Sequence, residues 1–108
     1  MQISEIQIIP IKPNNGLVAM ASVVVENSLY LGSIGIHTKL NGNGFRITYP
    51  TKSLSGKNFN VFHPINRNVA LDIEQAIIAK AEEVLSYQNK KSNEYVGHSN
   101  TNNTERVL

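Results

Sequence analysis

Hydrophobic residues in the first half of the chain fall into four short runs, and turn-forming residues separate them. The runs are rich in isoleucine and valine, which favour strands. They cover residues 2–11, 17–25, 29–38 and 45–49. Asn15-Gly16, Glu26-Asn27-Ser28 and Asn41-Gly42-Asn43-Gly44 lie between them, and such residues accept the positive φ of tight hairpins. The pattern predicts an antiparallel meander.

The first and third runs carry further positional signals. Isoleucines occupy both parities of the first run, so we expect apolar surroundings on both of its faces. Pro10 and Pro13 cannot donate to a sheet ladder and predict a strand at the edge. Gly32 and Gly35 predict a bulge in the third run, or a close approach of another backbone.

Residues 50–88 predict a loop and then a helix. We expect a loop at Ser53–Gly56, a candidate fifth strand at Phe59–Phe62, and a helix after His63-Pro64 that is capped by Asn66 or Asn68. An apolar stripe at helical spacing predicts that this helix covers one face of the sheet. The stripe consists of Val69, Ala70, Ile73, Ile77, Ala81, Val84 and Leu85.

The predicted fold is therefore α+β: a four- to five-stranded antiparallel meander with one long C-terminal helix packed on it. Residues 1–88 form the domain. Residues 89–108 are rich in Asn, Ser and Thr, and we expect them to be a disordered tail. Polar residues at Glu26-Asn27-Ser28 interrupt the most apolar stretch, so we expect no membrane span.

Composition narrows the possible chemistry. A chain of 108 residues is one domain, and the lack of cysteine excludes disulfides and thiolate metal sites. That lack also fits a reducing compartment, so we expect a cytoplasmic protein. Residues 50–67 carry three basic residues and no acidic one, whereas residues 68–86 carry four acids and one base.

No constellation for catalysis is visible in the chain. His37, His63 and His98 lie in no metal-binding spacing, and we interpret His63 as a loop residue that bonds a backbone group. The adjacent Glu82 and Glu83 diverge on a helix. We therefore expect no enzymatic activity, no metal or cofactor and no small-molecule substrate.

The basic segment is the remaining candidate. Lys52, Lys57 and Arg67 are suited to phosphate contacts, and Arg46 joins them if its side of the sheet faces the same way. Tyr49 and Phe59 flank the loop and are candidates for stacking on unpaired bases. By residue type alone, a solvated loop whose aromatic residues belong to the core is the commoner arrangement, so both interpretations stay open.

A series of short motifs runs from the first strand to the helix. It comprises I-S-E-I-Q-I near the start, A-M-A-S-V, Asn43-Gly44-Phe45, Tyr49-Pro50-Thr51-Lys52, Gly56-Lys57-x-Phe59 and His63-Pro64-Ile65-Asn66. At this spacing, residues 1–86 resemble the stage V sporulation protein G family (SpoVG, or septation proteins). The resemblance implies a small α+β domain that dimerises through its sheet and a bacterial regulator of septation or sporulation that binds DNA or RNA.

The chain departs from that family in its charges. Ser53 stands where members usually carry an arginine, and Val69-Ala70-Leu71-Asp72 stands where lysine or arginine is common. We therefore expect weakened nucleic-acid binding by a homodimer that pairs sheet edges near Gly32 and Gly35. The alternative is a protein-interaction module for cell-division or regulatory proteins, which the acidic helix favours.

Overall fold

The computed structural model describes residues 1–97 of the chain. Residues 98–108, which include His98, lie outside the described part. Within it the chain forms six strands and then one helix. These elements are β1 (Ile3–Asn14), β2 (Leu17–Val25), β3 (Leu29–Thr38), β4 (Phe45–Thr48), β5 (Thr51–Leu54), β6 (Lys57–Asn60) and α1 (Arg67–Gly97).

The first four strands form one antiparallel sheet in the order β1-β2-β3-β4. The predicted meander and the α+β class are confirmed, and β1 lies at the edge as its prolines indicate. Asn15 and Gly16 have φ of 53° and 91° and form the tight turn between β1 and β2. The candidate fifth strand is wrong as placed, because β6 pairs only with β5 in a separate two-stranded sheet.

A bulge in β1 changes which isoleucines face the core. Glu5 and Ile6 together stand opposite Val23, and Glu5 has a φ of 49°. The extra residue shifts the side-chain parity, so Ile6 packs with Ile3 and Ile8 toward the core. The expectation of apolar surroundings on both faces is wrong at Ile9, which is 59% exposed.

The predicted irregularity in β3 is also present. Gly32 and Ser33 stand opposite a single β2 residue, and Ser33 has a φ of 59°. Beyond this bulge, β4 pairs only with the last four residues of β3, Gly35 to Thr38. Among the described residues, the part of β3 from Leu29 to Ile34 therefore has a partner strand on its β2 side only. The predicted dimer edge was placed near Gly32 and Gly35. Gly35 itself pairs with both β2 and β4, so it does not lie at an open edge.

Helix α1 covers one face of the four-stranded sheet. Its predicted stripe is confirmed, because Ile73, Ile77, Ala81 and Leu85 are buried. They meet core residues of the two central strands, Ala19, Ala21, Val23, Ile34 and Ile36. Burial of this apolar surface is the main stabilising contribution that the fold provides.

The start and the continuity of α1 follow from local chemistry. The Asn66 side-chain oxygen accepts hydrogen bonds from the backbone N–H groups of Asn68 at 2.8 Å and Val69 at 3.2 Å, so Asn66 is the N-cap. The described helix backbone extends from Arg67 to Gly97. No glycine or proline interrupts the chain between Asn66 and Gly97, and the Lys and Glu residues there are good helix formers.

Candidate nucleic-acid interface

The basic segment after β4 is a β-hairpin and not the expected loop. β5 and β6 pair antiparallel through a two-residue connection, Ser55-Gly56. Both residues have positive φ, 51° and 79°, which defines the turn whose twist suits a hairpin. The Ser-Gly dipeptide between alternating residues is the sequence signal that marks this hairpin.

The hairpin register sorts its side chains onto two different faces. Lys52 stands opposite Phe59, and Leu54 stands opposite Lys57. Opposed residues share a face, and residues two apart on a strand share it too, so these four form one surface. We call this surface, made of Lys52, Leu54, Lys57 and Phe59, the cationic face.

The other side of the hairpin has a different chemistry. It carries Thr51, Ser53, Asn58 and Asn60, which are all uncharged and polar. All ten residues from Thr51 to Asn60 are exposed. On the cationic face Phe59 is 50% exposed and Leu54 is 52% exposed. The hairpin therefore presents two lysines and two apolar side chains to solvent, with no acidic residue between Pro50 and Asn66.

Sequence reasoning placed Lys52, Lys57 and Phe59 at the candidate site but missed Leu54. The hairpin pairing brings Leu54 beside Lys57, which the loop assignment concealed. Lys52 and Leu54 are two residues apart before Ser55-Gly56, and Lys57 and Phe59 are two residues apart after it. Residues at this spacing share one face of a strand, so this pattern identifies the cationic face.

The other two candidate cations lie on different elements. Arg67 is exposed in the first turn of α1, directly after the capping Asn66. Arg46 is exposed on β4 opposite His37, on the sheet face that points away from α1. The cationic face thus brings together Lys52 and Lys57, while Arg46 belongs to the outer face of the sheet.

Arg46 has a polar neighbourhood of its own. The His37 Nε2 atom lies 3.0 Å from the Thr48 hydroxyl, and Gly35 lies beside both side chains. Burial lowers the pKa of His37 below its ordinary value, and the positive charge of Arg46 lowers it further. A lowered pKa favours the neutral form of the His37 ring, so His37 contributes little positive charge beside Arg46.

The two aromatic residues that flank the basic segment, Tyr49 and Phe59, lie in different environments. Tyr49 packs edge-to-face on Phe62, with ring centroids 5.8 Å apart and an interplanar angle of 73°. Burial raises the pKa of Tyr49, and the nearby Glu74 carboxylate raises it further. Tyr49 packs against the core, which supports the interpretation of a core aromatic residue at this position over one that stacks on unpaired bases. Phe59 remains open to such contacts.

His63 also has a structural role. Its Nδ1 atom lies 3.1 Å from the carbonyl oxygen of Pro64, as expected for a loop histidine that bonds a backbone group. Within the described residues, no three His, Asp or Glu side chains cluster in a way that holds a metal ion. No helix in this part of the chain is long and apolar enough to cross a membrane.

The acidic surface predicted for the helix lies on α1. Asp72, Glu82 and Glu83 are exposed, and Glu83 pairs with Lys80 at 3.1 Å. Such an ion pair on an exposed helix contributes little to stability. The negative charge on α1 contrasts with the acid-free hairpin, so the surface of the molecule is electrostatically divided.

The fold and this hairpin define a class of small α+β proteins: a meander sheet, one covering helix and a basic hairpin between them. The SpoVG family model matches residues 1–83, most of the chain. The chain belongs to the SpoVG family of sporulation and septation proteins. Comparison with curated proteins gives no match.

Proposed function

We propose that this protein is a non-enzymatic, cytoplasmic regulator that binds DNA or RNA through its hairpin and acts as a dimer. The observation that supports binding is the hairpin register, which sets Lys52 and Lys57 on one solvent-exposed face. Lysine side chains contact phosphates as flexible point charges, and no carboxylate on the hairpin opposes them. Arg67 in the first turn of α1 and Arg46 on the outer face of the sheet are further candidates for phosphate contacts.

The number of cations sets the expected strength of binding. Two to four phosphate contacts give modest affinity, because few charges are neutralised and few counterions are released, and this affinity falls as the salt concentration rises. Ser53 stands in the family's usual arginine position, and it lies on the opposite side of the hairpin from the lysines. Binding is therefore expected to be weaker than in family members that carry the arginine.

The dimer part of the proposal rests on the open edge of β3. Among residues 1–97, no strand pairs with residues 29–34 on the side away from β2, and a second strand can pair there. Leu29 and Tyr30 at this edge are 57% and 69% exposed. A dimer would double the cationic surface and raise the affinity for a long nucleic acid.

The acidic helix favours a second candidate, a protein-interaction module without nucleic-acid binding. A shallow groove beside β4 is lined by apolar residues that include Phe45, Leu71 and Ile78. Two carboxylates and one lysine also line it, namely Glu74, Glu82 and Lys39. Carboxylates around an apolar groove suit a basic amphipathic segment of a partner. The same charges oppose any approach of nucleic acid to this side of the molecule.

A gel-shift titration separates the two candidates. The full-length protein is titrated into mixed DNA and RNA fragments at low and at physiological salt. Binding at low salt that weakens with salt is the expected result. The K52A/K57A/R67A variant should lose most of it, while Leu40→Ala, a change in an exposed turn, should not.

Two outcomes contradict the proposal in different ways. Absence of binding at low salt overturns nucleic-acid recognition and favours the protein-interaction module. Unchanged binding by the triple variant shows that other residues contact the phosphates. Each lysine removed should reduce the slope of log K against log salt by about 0.7 to 0.9.

A further inference from the structure

We propose that the cationic face binds single-stranded nucleic acid, with Phe59 stacked on an unpaired base and the two lysines on the adjacent phosphates. This inference rests on the proposed function and names the form of nucleic acid that the hairpin recognises. It is drawn from the positions of Phe59 and Leu54, which phosphate binding alone does not explain.

The arrangement of the four side chains supports a strand with accessible bases. Phe59 has Lys52 directly across the hairpin and Lys57 two residues along its own strand. Opposed Cβ atoms in such a pair are about 5 Å apart, and residues two apart on a strand are about 7 Å apart. A base placed on the Phe59 ring therefore has a cation within side-chain reach on two sides.

The apolar residues argue for base faces as their contacts. Half of the Phe59 side chain and half of Leu54 are in contact with solvent on a hairpin that projects no other apolar side chain on this face. Every base has an apolar π-face, so an aromatic ring stacks on it whatever the sequence. In a duplex these base faces are hidden within the stack.

The division of the hairpin into two faces argues against duplex recognition. A two-stranded ribbon can enter the major groove and read base edges with polar side chains. In this hairpin, however, Asn58 and Asn60 lie on the side opposite Lys52 and Lys57. Placing the polar side in the groove would turn both lysines away from it, whereas the cationic face would present Phe59 and Leu54 to polar base edges.

The test compares three labelled probes with the full-length protein in fluorescence anisotropy: a short oligothymidylate, an abasic strand with the same number of phosphates, and a duplex of the same length. We expect the oligothymidylate to bind more tightly than the other two. Phe59→Ala should weaken its binding by about 5- to 150-fold, the range that stacking on one base supports. Binding of the abasic strand should stay unchanged.

Matched variants separate stacking from charge and from folding. Phe59→Trp keeps an aromatic ring and should retain the preference for bases. Asn58→Ala alters the neighbouring residue on the opposite side and should have no effect. K52A/K57A should weaken binding of the oligothymidylate and the abasic strand alike. Circular dichroism checks that each variant is folded.

Three results would overturn the inference. If duplex and oligothymidylate bind equally and Phe59→Ala changes neither, the face does not recognise bases, although phosphate binding through the lysines stands. If Phe59→Ala dissociates a dimer in sedimentation and leaves the affinity of each protomer unchanged, a second copy covers this face. If none of the probes binds at low salt, the proposed function itself is wrong and the inference with it.

Discussion

At the scale of single residues, Gly35 shows how closely the outer face of the sheet is packed. A Cβ atom on this residue would lie 2.8 Å from the Thr48 Oγ1, 3.1 Å from the Leu17 Cδ1 and 3.3 Å from the His37 Nε2. Thr48 is β-branched and its hydroxyl is held by His37, so it cannot move away at low cost. The absence of a side chain at position 35 permits the β3–β4 pairing.

We predict that Gly35→Ala lowers the free energy of unfolding by about 1 to 3 kcal/mol, the usual cost of overpacking a filled site. Urea denaturation followed by circular dichroism measures the change. In a Thr48→Ala background the nearest contact is gone, so the same substitution should cost at least about 0.5 kcal/mol less. An equal loss in both backgrounds would show that the Thr48 contact is not the cause.

The sequence indicated a special role for Gly35 but not its partners. A glycine within a strand signals a bulge or a close approach, and the third run contains both, the bulge at Gly32-Ser33 and the close approach at Gly35. Which of the two glycines takes which role depends on the register with β2 and β4. That register is a property of paired strands and is not encoded in the glycine spacing.

At the scale of elements, the start of α1 depends on one side chain. Asn66 and Asn68 are both plausible N-caps in the sequence, and only Asn66 satisfies two free backbone N–H groups. The first turn contains no acidic residue, so no carboxylate supports the cap there. The capping hydrogen bonds are therefore the local interaction that fixes where the helix begins.

We predict that Asn66→Ala lowers the free energy of unfolding by about 1 kcal/mol, within the range measured for lost N-caps. Asn66→Asp keeps an acceptor at the same place and should retain most of the stability. Asn68→Ala serves as the matched control in the same turn and should change little. Urea unfolding midpoints of the three variants measure these effects, and equal losses at positions 66 and 68 would contradict the assignment.

The ends of strands were predictable where a strong turn dipeptide marks them, and they were missed where the turn signal in the sequence is weaker. Asn-Gly marked the β1–β2 turn, while Ser-Gly at Ser55-Gly56 was interpreted as part of a loop. The β1 bulge at Glu5 was missed as well, since neither glycine nor another turn residue marks it. The cationic face could therefore be identified only from the pairing of β5 with β6 in the structure.

At the scale of the whole molecule, the meander and its helix followed from hydrophobic periodicity, and the SpoVG family match agrees with them. Phe45, Ile47 and Tyr49 all pack against the core formed by the sheet and α1. The open part of β3 was not predictable in this way. It results from β4 being much shorter than β3, so that six residues of β3 extend past its neighbour.

We predict that a charge at this open edge disrupts the proposed dimer without unfolding the protomer. Leu29 lies at the start of the unpaired part of β3 and is 57% exposed, so Leu29→Glu buries no charge in the monomer. In a dimer paired through this edge, each new carboxylate would be partly removed from water against the second copy without a basic partner, which is costly.

Sedimentation velocity at micromolar concentration measures the outcome. The unmodified protein should sediment as a dimer and Leu29→Glu as a folded monomer, while Leu40→Glu, in a fully exposed turn, should remain dimeric. A monomeric unmodified protein would overturn the dimer itself. If Leu29→Glu stays dimeric, the second copy pairs elsewhere, and the exposed apolar residues Leu54, Phe59, Val61 and Ile65 near the hairpin become the surface to test.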